Sequence, residues 1–178
     1  MAVFGVGGIG LNCIQGGGLV AANPIIAVDL LDDKLEYARS LGATHMINAS
    51  KDDPVEAIKD IAGRGADYSF IAVGVASTIN QAWNCLAPGG TVVMIGLPPT
   101  GSEVTFNTSA LQSGEKVFRG CNYGSARVRD DFQRMVELYM AGILKIDELI
   151  SRRFELEEAN EAFRALADGE VAQGIIVF

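Results

Sequence analysis

Basic residues are scarce in this chain. Fourteen Lys and Arg stand against 22 Asp and Glu, a formal net charge of −8, and the longest basic run is Arg152-Arg153. Nucleic-acid binding needs a basic stripe, so that class is excluded. Long apolar runs are missing too. Asn23-Pro24 interrupts the most hydrophobic region, and nothing approaches the ~18 residues of a membrane-spanning helix. No basic segment leads into an apolar run at the amino terminus, so no secretory signal is visible. Proline occurs only five times and there is no Gly-X-Y period, which removes collagen-like and low-complexity readings. Histidine occurs once, at His45, and cysteine three times, at Cys13, Cys85 and Cys121. Scattered, odd-numbered cysteines suit free thiols in a reducing compartment, here the cytoplasm, and without a Cys/His cluster no zinc site is expected within the chain.

What is present is glycine, 21 in 178 residues, well above the usual share of about 7%. The chain is long enough to bury a core without staples. Its first 120 residues repeat one theme: a β-branched apolar run, a turn, then a helical stripe. Strands are predicted at residues 3–6, 25–28, 44–47, 68–73 and 91–95, with a sixth at 116–121. Leu35, Ala38 and Leu41 share one helix face, which Gly42 can end. Asp53 before Pro54 reads as a cap followed by proline in the first turn. Ile79, Ala82, Trp83 and Leu86 mark a further helix, stopped at Pro88-Gly89-Gly90. Alternation of this kind implies right-handed crossovers and an α/β fold with a doubly wound parallel sheet of six strands. From about Arg127 the pattern changes to helix, short strand, helix and a closing strand at 175–178, an α+β segment. The expected division is therefore 1–123 and 124–178.

Gly5-Val6-Gly7-Gly8-Ile9-Gly10 follows the first strand directly and opens the first helix. In a dinucleotide-binding turn Gly5 permits the sharp bend, Gly7 the approach of a pyrophosphate, and Gly10 close helix–strand packing. Free N–H groups at the helix start favour an anion there, whatever the net charge. Asp29, 19 residues after Gly10, ends the second strand, where a carboxylate accepts from ribose hydroxyls and repels a 2′-phosphate. That favours NAD over NADP. Lys34 stands within reach of the same ribose. Gly16-Gly17-Gly18 reads as close helix–sheet packing, Cys121 as a buried strand residue and His45 as a strand-end residue.

Together these residues resemble the zinc-type, medium-chain alcohol dehydrogenases, over essentially the whole chain. The likeness is carried by Ala2 to Leu11 around the glycine turn, and by Ile26-Ala27-Val28-Asp29 with Lys34 and Leu41-Gly42-Ala43-Thr44. Gly65-Ala66-Asp67-Tyr68, Pro88-Gly89-Gly90 and Ile95-Gly96-Leu97-Pro98-Pro99 continue it. Phe154, Leu156, Asn160, Ala162, Phe163 and Gly174 to Phe178 complete it.

The resemblance implies a Rossmann sheet binding NAD at its carboxyl edge. It places Gly8 and Ile9 in the phosphate turn, and Ala72 and Gly74 beside the riboses. Ile95, Gly96 and Leu97 would hold the nicotinamide carboxamide through backbone, with Tyr123 nearby. Where the family often has an arginine against the pyrophosphate, this chain has Gln173. The zinc ligands and proton relay of the family precede the glycine turn, so the chain reads as the cofactor-binding half of a longer enzyme. By itself it is expected to be inactive, and zinc is expected only in the other half. The parent reaction would be hydride transfer between a primary alcohol or aldehyde and NAD. A homodimer is expected through the sheet edge around Lys116 to Cys121. Two other readings stay open: a non-catalytic nucleotide-binding or dimerisation module, and a zinc-free quinone reductase-like enzyme, against which Asp29 weighs.

Overall fold

The computed structural model describes residues 1–178. These form two compact units, Met1–Ser125 and Ala126–Phe178. The first is built on six parallel strands: β1 (Ala2–Phe4), β2 (Ile26–Asp29), β3 (His45–Asn48), β4 (Ala66–Ile71), β5 (Leu86–Met94) and β6 (Val117–Gly120). Their order is β3-β2-β1-β4-β5-β6. The winding direction therefore reverses between β1 and β4, which opens a crevice at the carboxyl ends of those strands. The expected doubly wound sheet is the observed one.

Five helices connect the strands: α1 (Gly8–Leu19), α2 (Asp32–Ser40), α3 (Pro54–Ala62), α4 (Ala76–Asn84) and α5 (Thr108–Ser113). Strand alternation divides the core. Ala2 and Phe4 face a buried cluster with Ile58 of α3 and Ile79, Ala82 and Trp83 of α4. Val3, between them, is equally buried on the opposite side. The predicted cap forms: Asp53 Oδ1 accepts from Val55 N at 2.8 Å and Glu56 N at 3.4 Å.

Three differences from the sequence reading have local causes. β1 stops at Phe4 because Gly5 takes a φ of +83° and turns the chain. α4 ends at Asn84, ahead of Pro88, because the chain passes straight into β5, where Leu86 pairs with Ala66. Pro88-Gly89-Gly90 then lies inside β5, at a register shift against β4. α5 was not predicted; it is six residues long without a buried face, and Asn107 caps it through bonds to Ser109 N and Ala110 N.

The second unit contains α6 (Val128–Met140), β7 (Arg152–Glu155), α7 (Ala159–Ala167) and β8 (Gly174–Val177). β7 and β8 pair in parallel. Its core is small, with Phe154, Ala165 and Val171 buried and Ala162 and Ile176 packed against them. Gly174 is needed there, since a Cβ would stand 2.9 Å from the Phe154 ring.

Candidate functional site

At Gly5 the backbone is left-handed and a Cβ would lie 2.2 Å from Val73 Cγ1, so both conformation and space demand glycine. Gly10 is demanded by contact alone, because its Cβ would fall 1.9 Å from the Gly5 carbonyl oxygen. Gly7 differs from both. Its φ of −74° and ψ of −168° suit any residue, and a Cβ there would meet nothing within 4 Å. Nothing in the chain's own packing requires glycine at that position.

α1 begins at Gly8 without a side-chain cap. Leu11 N donates to Gly7 O at 2.9 Å as the first bond of the helix, so the N–H groups of Gly8, Ile9 and Gly10 stay open. Open donors at the positive end of a helix dipole form an anion site, here at the point where the strand order reverses. Gly16 and Gly18 qualify the expectation of close packing: a Cβ on either meets nothing within 4 Å, and only Gly17 approaches neighbours, Met1 Sδ and Ile25 Cδ1.

Asp29 is fixed by three backbone donors. Oδ2 accepts from Val6 N at 2.9 Å, and Oδ1 from Leu30 N at 2.8 Å and Leu31 N at 3.3 Å. A carboxylate offers roughly four acceptor sites, so Oδ2 keeps a lone pair for a ligand hydroxyl. Asp29, Gly5 and Lys34 line one cavity of about 320 Å³, with Val28, Val73 and Val75 among its apolar walls. Ser77, Thr78 and Gln81 of α4 line it as well. The sequence reading missed these three; the signal was their place in a helix that follows a strand at the same sheet edge.

A second cavity, of about 530 Å³, is lined by Ile9, Asn12, Cys13, Ile95, Cys121 and Tyr123, with Asn122 and Gly124. Cys121 is thus half-buried just past β6 rather than a core strand residue. Burial, and secondarily the neighbouring Cys121, push the Cys13 thiol up to about 11. Tyr123 is fully on the surface at 92% exposure, in a left-handed turn with φ of +47°.

The segments after β4 and β5 lock together backbone to backbone. A Cβ on Gly74 would stand 2.2 Å from Leu97 O, and one on Gly96 2.3 Å from Val73 O. Both glycines therefore have a packing cause. Ala72 N donates to Phe4 O at 2.9 Å. Ile95 N and Gly96 N both donate to Ile71 O, at 3.0 and 2.8 Å. Those two N–H groups are engaged, so the backbone groups of this segment without such a partner are Leu97 N–H and the carbonyls. Gln173 belongs to the second unit, just before β8, where its carbonyl accepts from Ser151 N at 2.9 Å. No group of three or more His, Cys, Asp or Glu side chains is placed to hold a metal ion. No helix is long and apolar enough to cross a membrane.

Comparison with known proteins bears on the same segment. The family model for zinc-binding dehydrogenases matches residues 8–141. An NDMA-dependent alcohol dehydrogenase of Amycolatopsis methanolica is 39% identical over 179 residues, covering 98% of this chain and 48% of that protein. Benzyl alcohol dehydrogenase of Acinetobacter calcoaceticus superposes with a TM-score of 0.95 at 31% identity, over 98% of this chain and 48% of that one. A zinc-binding dehydrogenase of Sinorhizobium meliloti, solved bound to NADP, gives a TM-score of 0.82 at 32% identity, over 90% of this chain and 47% of its own. The chain spans about half the length of the relatives it matches. By its sequence and its fold, this chain belongs to the zinc-binding dehydrogenase family.

Proposed function

We propose that this chain is the NAD-binding half of a zinc-type alcohol dehydrogenase whose reaction is hydride transfer between a primary alcohol or aldehyde and NAD. The observation that carries the reading is the Asp29 carboxylate, held at the end of β2 by Val6 N–H and facing a cavity beside the open N–H groups of α1. The pyrophosphate would lie on Gly7, Gly8 and Ile9, and the adenosine ribose between Asp29 and Lys34. The nicotinamide would occupy the cavity of Ile9, Ile95 and Tyr123. Ala72, Gly74 and Gly96 act through shape, since they set the spacing of the loops that form these walls. The cofactor, when bound, supplies the hydride acceptor; the chain's residues bind and orient it.

NAD is preferred here although the Sinorhizobium relative was solved with NADP, because a 2′-phosphate would meet the Asp29 charge. Thermal unfolding tests this: NADH should raise the melting temperature more than NADPH, and equal shifts would contradict the assignment.

Residues 124–178 we assign to the catalytic domain of the parent. Support comes from the small core of that unit and from exposed Phe132, Val136, Met140, Phe163 and Leu166. Catalytic zinc would be held by the other half. We assign the parent to the cytoplasm, which three free cysteines suit. A homodimer through β6 is supported by its edge position and by the exposure of all four of its residues.

A further inference from the structure

The cavity beside Asp29 carries hydrogen-bonding capacity that a ribose does not use. Thr78 and Gln81, three residues apart on α4, present one helix face to it. Gln81 is half-buried, and its carboxamide makes no hydrogen bond within the protein. No sealed-in side-chain polar atom is left unpaired, so this free amide is open to solvent, on a residue that lines the cavity. Much of the remaining wall is aliphatic: Val28, Ala49, Val73 and Val75.

At about 320 Å³ the cavity is at the lower end of the ~300–1,000 Å³ of ligand pockets, the size for one nucleoside rather than a whole dinucleotide. An aliphatic slot with a single carboxamide suits a flat base that has a donor beside an acceptor on one edge. Adenine has that edge, its 6-amino group flanked by ring nitrogens, and glutamine matches it with two hydrogen bonds. The charged groups of the cavity have different work available: the Asp29 carboxylate is taken up by backbone donors and a ribose hydroxyl, and Lys34 is a cation. The Ser77 and Thr78 hydroxyls cannot pair with both groups of that edge as a carboxamide does.

We propose that Gln81 reads the adenine base of the dinucleotide through its 6-amino group, and so sets base specificity at this cavity. The proposal rests on the dinucleotide reading above. It predicts a coupling between one side chain and one ligand group.

Calorimetric titration of the 178-residue chain tests it with two ligands, NAD and the purine analogue of NAD in which hydrogen replaces the 6-amino group. The unaltered chain should bind the analogue about five- to tenfold more weakly than NAD, the size of one hydrogen-bonding interaction. Gln81→Met should weaken NAD by at least a similar factor and the analogue, which keeps only the bond to a ring nitrogen, by distinctly less. Equal affinities of the unaltered chain for both ligands would overturn the proposal without reliance on any variant. So would a Gln81→Met variant that binds NAD as the unaltered chain does, or one that loses both ligands equally. Failure of the unaltered chain to bind NAD at all would overturn the dinucleotide reading, and this proposal with it.

Discussion

Val6 N–H donates to Asp29 Oδ2 at 2.9 Å. That bond ties the glycine turn to the end of β2, so the residue proposed to choose the cofactor also holds the loop that binds its phosphates. Leu30 and Leu31 N–H groups, on the other oxygen, fix the start of the next connection to the same carboxylate. Binding and folding roles therefore have to be separated by the choice of substitution.

Asp29→Asn keeps the shape and one carbonyl acceptor but removes the charge. Its preference for NADH over NADPH should fall by about tenfold, since close unit charges near a protein surface interact by ~1–4 kcal/mol. Asp29→Ala should in addition lose about 2–3 kcal/mol of stability, because three backbone N–H groups lose their acceptor. Binding titrations and denaturant unfolding on the two variants read these effects separately. An Asp29→Ala protein as stable as the unaltered chain would contradict the structural half.

The glycines of α1 should respond in opposite directions. Gly16→Ala meets nothing within 4 Å and should stabilise the helix by roughly 0.5–1 kcal/mol. Gly10→Ala drives a Cβ to 1.9 Å from Gly5 O, and backbone cannot move aside as a side chain can. It should unfold or severely destabilise the first unit. Melting temperatures of the two variants check both, and a stable Gly10→Ala would show that the turn is wrongly placed.

Much of the fold was legible because period and punctuation agree. The six strands, the Asp53-Pro54 start of α3 and the glycine turn all follow from local chemistry. The end of α4 was not, because Pro88-Gly89-Gly90 signals a stop equally well inside an irregular strand, and only the pairing of Leu86 with Ala66 decides. The site was legible in part. Asp29 and the fingerprint glycines are marked by spacing, whereas the packing need for Gly74 and Gly96 shows only once the backbones they separate are seen. Gln81 carried no motif, and only its place on the cavity wall makes it visible.

Alkylation should distinguish the cysteines. With its thiol pushed up to about 11, Cys13 at pH 8 holds a thiolate fraction hundreds of times below that of a free cysteine near 8.5. Cys85, fully buried and pushed up to about 12, should be slower still. Peptide mapping after iodoacetamide treatment should show Cys13 modification rising about tenfold per pH unit between pH 8 and 10. Rapid modification at pH 8 would contradict the burial.

The sheet edge should mediate association. β6 is apolar at Val117 and Phe118 and has no partner strand on its outer side, an arrangement that favours symmetric pairing. Sedimentation at tens of micromolar should give a dimer, and Val117→Lys a monomer with little change in melting temperature. A monomer in the unaltered chain would remove the dimer proposal.

Gly7 offers the most direct test of the dinucleotide site, because the fold leaves the space before it free. Gly7→Val has an allowed backbone and no clash within 4 Å of its Cβ, so it should melt within about 2 °C of the unaltered chain, a change of under ~1 kcal/mol. The same valine should stand where the pyrophosphate approaches the α1 amides. Calorimetric titration with NAD should therefore show one site per chain in the unaltered protein and at least about tenfold weaker binding in Gly7→Val. No binding by the unaltered chain, or undiminished binding by a folded Gly7→Val, would contradict the account.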